Sequence, residues 1–180
     1  MDVDIQPEQP SDHDAIREVV RTAFVHHQTV PRLVELIRAS PQYLPDLALV
    51  ARQDGEVVGH VMISGAQLVD DERGVTHAVL TLSPLAVAPA VQGNGIGAAL
   101  VRAALAAAQP RDEPLVTLEG SPRYYPRFGF LDCRDLGITI ALPDWAPPEA
   151  GMAFPLPSWD ASVRGRLVYP PAFTTYEDDA

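Results

Sequence analysis

Lysine is missing from this 180-residue chain: all 13 basic residues are arginine, set against 24 acids for a formal net charge of −11. A surface this acidic repels phosphate backbones, so nucleic acid is not expected as a partner. A Walker-type phosphate loop, which needs a lysine, is excluded. Any anionic cofactor must be held by backbone N–H groups, a helix N-terminus or a few arginines. The single cysteine, Cys133, excludes an internal disulfide and a cysteine-based metal site and reads as a packed thiol. The 5 histidines are poorly spaced as ligands, and no metal is expected. No run of about 18 apolar residues occurs, so no membrane span is expected. The acidic start, Met1-Asp2-Val3-Asp4, has no apolar stretch, so no secretory signal is expected either. These absences together point to a soluble, cytoplasmic protein.

What is present suits one core. An apolar content of 47% is too high for a disordered chain, and 180 residues fit a single domain. We read residues 1–180 as one domain, with its core over about 3–142 and a proline-rich extension over about 143–180 that carries a last strand. A short strand at 3–5 is followed by Ser11 and Asp14, which suit a capping box, and by the helical stripe Ile16, Val19, Val20, Ala23 and Phe24. A second helix starts near Thr29-Val30-Pro31 and ends at Ser40-Pro41. The period then changes to that of strands, at 47–52 and 56–64, joined by the hairpin signal Asp54-Gly55. The polar loop 70–74 leads to a third apolar run at 78–87, which completes an antiparallel meander. An alanine-rich helix to about 108, a strand at 115–118 and weak strands at 138–142 and 167–169 follow. The expected class is α/β (α+β), a sheet antiparallel at first with helices covering both faces.

The most informative stretch is Gln92-Gly93-Asn94-Gly95-Ile96-Gly97, set between a strand and a helix. Glycines let successive amides turn toward one point, and the following helix adds its positive end, which suits a pyrophosphate. Gly93-x-Gly95-x-x-Ala98 formally fits a dinucleotide fingerprint. That motif needs the strand to run into the first glycine, whereas Ala88 to Gln92, with Pro89 among them, intervene here. The other reading is Gln-x-x-Gly-x-Gly, filled by Gln92, Gly95 and Gly97.

Pro84-Leu85-Ala86-Val87, the Gln92 loop and the run from Gly120-Ser121-Pro122 through Tyr125-Pro126-Arg127-Phe128-Gly129-Phe130 occur in one order and spacing. In these motifs the chain resembles the GNAT superfamily of N-acetyltransferases, and its YhbS-like bacterial branch most. The likeness covers roughly residues 3–173, its specific part being 84–130. The resemblance implies the GNAT fold, a mixed sheet whose fourth strand (about 78–87) is splayed from the fifth (about 115–119). It implies acetyl-CoA as co-substrate, its pantetheine paired with backbone at Leu85, Ala86 and Val87. The pyrophosphate would then lie on the loop from Gln92 through Gly93, Asn94, Gly95, Ile96 and Gly97 to Ala98.

The reaction implied is direct acetyl transfer to an amine of a small molecule or peptide. An amine of lysine-like pKa, about 10.4, is free base in only about one molecule in 2,500 at pH 7, a cost of roughly 4.6 kcal/mol. A base is therefore needed, with an N–H donor near Val87 for the oxyanion and an acid for the departing thiolate. Tyr125, four residues before Gly129, matches the family's acid. The family's usual strand-four carboxylate falls on Leu82, a departure. His60 and Glu119 are the candidate bases; His77, about 33 Å along an extended strand from Val87, is too far. His26 and His27 are placed to shape specificity, and Tyr124 to pack. The alternative is a catalytically silent GNAT-fold protein that binds CoA as a sensor or scaffold. The acceptor is unspecified, and a homodimer stays open.

Overall fold

Asp54 and Gly55 both adopt positive φ, 52° and 86°, the backbone a two-residue hairpin turn demands and the reason Asp-Gly signals one. In the computed structural model, which describes residues 3–178 with side chains to residue 175, this turn lies in the first of two compact units. That unit takes the chain up to Ser64, then Ser83–Ala108, then the chain from Pro171 onward. The second takes Gly65–Leu82 and Gln109–Pro170.

In the first unit, β1 (Asp4–Pro7), β2 (Ala48–Gln53), the beginning of β3 (Glu56–Asp70) and the end of β4 (Val75–Val87) are neighbours in that order. The β1–β2 and β2–β3 pairs are antiparallel. Strand alternation divides the apolar residues between two faces. Ala48, Val50, Met62 and Ala86 meet Ile16, Val19 and Val20 of α1 (His13–Ala23), Leu33, Val34 and Ile37 of α2 (Val30–Arg38), and Ala172 of α4 (Pro171–Asp178). The opposite face receives α3 (Ile96–Ala108). There Gly59 leaves the room that Leu100 and Ile96 fill; a Cβ would stand 2.9 Å from Leu100 Cδ1. Helices thus cover both faces, as expected. The cap of α1 differs from expectation: Gln9 N–H donates to Asp12 Oδ2 at 3.0 Å, and a 3₁₀ turn, Pro10–Asp12, precedes the helix. Pro10 favours that turn, so it displaces the Ser11–Asp14 box.

In the second unit the order is β3, β4, β5 (Leu115–Glu119), β8 (Gly151–Pro155) and β6 (Leu131–Asp132). Strand β9 (Gly165–Val168) pairs with β3, and β7 (Ile138–Thr139) with β9. Four residues join β3 to β4, a connection that can only reverse the chain, and Asp70 Oδ1 accepts from the N–H groups of Glu72 and Arg73 within it. The sheet is mixed, because β4–β5 and β7–β9 are parallel. Its core holds Leu68, Val79, Leu115, Cys133, Ile138 and Leu167, so Cys133 is a packed thiol. The strand at 138–142 shortens to two residues, and β8 and α4 are elements the sequence reading lacked. Among the described residues no helix is long and apolar enough to cross a membrane.

Candidate functional site

The candidate residues fall in both units, and each group is built from its own strand end. In the first unit β4 stops at Val87, and Ala88 N–H donates to Val58 O at 2.8 Å. Backbone polar groups alternate sides along a strand, so Ala86 turns the same way as Ala88. Its carbonyl indeed lies 3.3 Å from where a Cβ on Gly59 would stand. Leu85 and Val87 therefore turn their N–H and C=O groups to the other edge. Of the three strand residues expected to pair with a ligand, Leu85 and the Val87 N–H are thus turned outward, and the Ala86 carbonyl is turned toward Gly59 within the sheet.

Beyond the strand, the Gln92 side-chain amide donates to Val87 O at 2.9 Å and that of Asn94 to Val91 O at 3.2 Å. Both amides thus brace the loop. Gly93 and Gly95 have φ of 80° and 84°, with open space where a Cβ would stand. The backbone turn, rather than room, requires glycine there. Ala99 N–H donates to Gly95 O at 3.0 Å and closes the first turn of α3. The N–H groups of Ile96, Gly97 and Ala98 consequently have no carbonyl one turn back and form the helix's positive end. No acid sits in that turn. Ile96 is buried, so only its backbone is offered outward. This cradle suits a phosphate group held without side-chain charge.

In the second unit the β4–β5 ladder consists of Leu80–Val116 and Thr81–Thr117, and the Thr117 hydroxyl adds a bond to Leu80 O at 3.0 Å. The ladder ends there although β5 continues to Glu119, whereas on its other edge β5 pairs with β8 along its whole length. Leu118 and Glu119 are therefore paired with β8 beyond the end of the β4–β5 ladder, in keeping with the expected splay of the two strands. Leu82 is buried and apolar, so the departure at that position stands.

After β5, Gly120 N–H donates to Ala150 O, and the N–H groups of Tyr124 and Tyr125 reach Ser121 O. A 3₁₀ turn, Tyr125–Phe128, follows; Pro126 sits in its first turn, where no donor is needed. The Tyr125 ring meets Tyr124, Phe130 and Phe128 edge-on at 5.1, 5.7 and 6.4 Å between centroids. It occupies the space a side chain on Gly120 would need: a Cβ there would overlap Cε2 and lie 2.9 Å from Cδ2. Burial, with Tyr124 adding to it, pushes the Tyr125 hydroxyl up to about 12. Glu119 is exposed and accepts from the Tyr169 hydroxyl at 2.6 Å.

His60 lies elsewhere, and this corrects its candidacy as a base. It is fully buried in the first unit, with Nε2 2.8 Å from Glu8 Oε2. Glu8 also accepts two bonds from Arg38, at 2.7 and 2.8 Å, and one from the Tyr43 hydroxyl at 2.8 Å. The ring has no route to an amine. Its Nδ1 has no hydrogen-bond partner among the described residues, so a doubly protonated ring would bury an unmatched N–H, and the neutral Nε2–H form fits. Burial pushes the His60 pKa down against the pull of Glu8. Burial pushes Glu8 up, yet Arg38 and His60 hold it well below the usual carboxylate range.

A pH dependence follows with a definite sign. Below about pH 6.5 the unfolded chain protonates His60 while the folded one does not, so stability present above that pH is lost as pH falls. Chemical denaturation from pH 7.5 to 5.5 is expected to show a decline approaching about 1.4 kcal/mol per pH unit. The His60 contribution vanishes in His60→Gln. Glu8 adds a loss only below about pH 4.5.

Gly120, Tyr169 and the Glu8 cluster escaped the sequence reading. Gly120 belongs to the run that ends at Phe130, and nothing in that run marks the seating of the Tyr125 ring against it. Tyr169 closed an expected strand, but its partner is 50 residues away.

Comparison with known proteins matches residues 14–130 to the model of the acetyltransferase (GNAT) family. The uncharacterised N-acetyltransferase YjhQ of Escherichia coli K12 is 33% identical over 124 residues, 68% of this chain and 66% of that protein, a little under two thirds of its length. The structure of the E. coli GNAT family protein YhbS in complex with CoA superposes with a TM-score of 0.83 at 26% identity, covering 96% of this chain and 92% of the other. A GNAT family acetyltransferase from Brucella melitensis, in complex with acetyl-CoA, gives 0.75 at 29% identity, with 96% and 98% covered.

Proposed function

The chain belongs to the acetyltransferase (GNAT) family, and we propose that it moves an acetyl group from acetyl-CoA directly to an amine of a small molecule or peptide. The observation that carries this reading is the α3 cradle: in a chain without lysine, three outward N–H groups follow two glycines of positive φ. The residues present fit the co-substrate. Ile96, Gly97 and Ala98 would hold its phosphates through the backbone, and Leu85 would pair with its amide arm as an added strand pairs with an edge, leaving the Val87 N–H for the acetyl group. Gln92, Gly93, Asn94 and Gly95 shape the loop. Bound there, acetyl-CoA supplies an activated acetyl group, which leaves the chain's own residues with proton traffic and charge.

Three groups take those tasks. Glu119, directly or through a water, accepts the proton that the ammonium must lose before nitrogen can attack. The Val87 N–H is the donor for negative charge developing on the acetyl oxygen. Tyr125 gives its hydroxyl proton to the departing sulfur and recovers one from the acylated nitrogen. The ammonium nitrogen loses two protons in all, of which sulfur retains one and solvent receives the other.

Leu82 in place of a carboxylate favours a second reading, a CoA-binding sensor or scaffold without turnover. A melting curve and a thiol-release assay separate the two. Acetyl-CoA, and not NAD, is expected to raise the melting temperature, and free CoA thiol is expected to appear with members of a broad amine panel. Tight acetyl-CoA binding with no thiol release from any amine would leave the sensor; no shift with acetyl-CoA would remove both.

A further inference from the structure

We propose that Tyr169 is a positioning residue that holds the Glu119 carboxylate, ionised and oriented, for its work as the base. This deepens the reading just given and rests on it. Glu119 closes β5, where its backbone is fixed by the pairing with Gly151 and by the following Gly120 N–H bond to Ala150 O. Its side chain is exposed, and an exposed glutamate loses considerable rotamer freedom when it is made to hold one pose. The Tyr169 hydroxyl supplies the hold: it donates to Oε1 at 2.6 Å, within the range of bonds to an ionised acceptor.

Tyr169 is itself well anchored. It follows β9 directly, whose Leu167 and Val168 pair with Leu68 and Gln67 of β3. Its ring packs against the core of the second unit, and Pro170-Pro171 restrict the backbone just after it. The ring is thus set by packing while its hydroxyl reaches the end of β5. Donation to the charged form of a carboxyl group favours that form, so the bond lowers the pH at which Glu119 becomes competent. A carboxylate offers about four acceptor positions, of which the Tyr169 hydroxyl takes one.

Tyr169→Phe keeps the ring and removes the hydroxyl. The rising limb of kcat/KM against pH is expected to move up by about half to one pH unit, with rates below the limb falling several-fold. The acetyl-CoA KM should stay unchanged. In Glu119→Gln the limb should vanish and kcat fall at least about 100-fold, and adding Tyr169→Phe to that variant should cost nothing further. Titration of the Glu119 side-chain carboxyl carbon by NMR, read in the wild type and in Tyr169→Phe, gives the same displacement without turnover.

A lowered melting temperature in Tyr169→Phe with both the limb and the NMR titration unmoved would overturn the proposal and make the bond a structural clamp. Full activity in Glu119→Gln would overturn it as well. A wild type that binds acetyl-CoA but releases no thiol overturns the catalytic reading instead, a failure distinct from an unmoved limb in an active enzyme.

Discussion

Tyr125→Phe is expected to lower kcat by about 100- to 10,000-fold while leaving acetyl-CoA affinity nearly unchanged. The substitution preserves the edge-on ring contacts with Tyr124, Phe128 and Phe130 and the fit over Gly120, so only the hydroxyl is lost. Burial decides how that hydroxyl can act. A tyrosine at its ordinary value of about 10 would pass its proton to a thiolate of about 8.5 at an uphill cost of roughly 2 kcal/mol. With the hydroxyl pushed up to about 12, the same stepwise transfer costs roughly 5 kcal/mol. The proton must therefore move as the carbon–sulfur bond breaks. The hydroxyl also stays protonated through the assay range, so kcat of the wild type should show no falling limb from Tyr125 up to about pH 10. Steady-state thiol release, paired with calorimetric titration of acetyl-CoA, checks both statements. An unchanged kcat in the variant would reduce Tyr125 to a packing residue.

Glu8→Gln is expected to be the most damaging change to stability, at about 3–5 kcal/mol. The Glu8 side chain is fully buried, and its charge answers the Arg38 guanidinium, itself only 12% exposed. A neutral amide in its place leaves that cation without its counter-charge and presents the Tyr43 hydroxyl and the His60 ring with altered partners. For a chain of this length the midpoint of melting should drop on the order of 10 °C. Urea denaturation measures the loss. Because the penalty arises from the stranded cation, a Glu8→Gln, Arg38→Met double variant is expected to recover part of it. A double variant no better than Glu8→Gln would place the loss in the other contacts.

Local physics was legible in the chain and remote pairing was not. The Asp54-Gly55 turn, the glycine loop before α3 and the course of β5 each follow from backbone demands made within a few neighbouring residues. Pro126 looked awkward for a helix and is at home in the first turn of a 3₁₀ segment. Strand β8 was hidden because Gly151 and Pro155 bracket only three apolar residues, in a region whose composition reads as loop, yet it pairs along the whole of β5. The Glu8 cluster joins residues 30, 35 and 52 positions away, and no periodicity announces such a meeting. His60 carried a fainter signal. Gly59 leaves room for α3 on one face, so its neighbour had to point to the other, where α1 and α2 pack. At the site, the alternation that separates Leu85 and Val87 from Ala86 needed one observed bond, from Ala88 to Val58.

Neither compact unit is continuous in sequence: three stretches of chain build the first and two build the second, and the changeovers at Ser64 and Leu82 fall inside β3 and β4 rather than in linkers. Neither body corresponds to a continuous fragment that could be excised and expressed. Serial deletions from either terminus would remove strands and core together, so only point substitutions can apportion the work between phosphate cradle, acid and base.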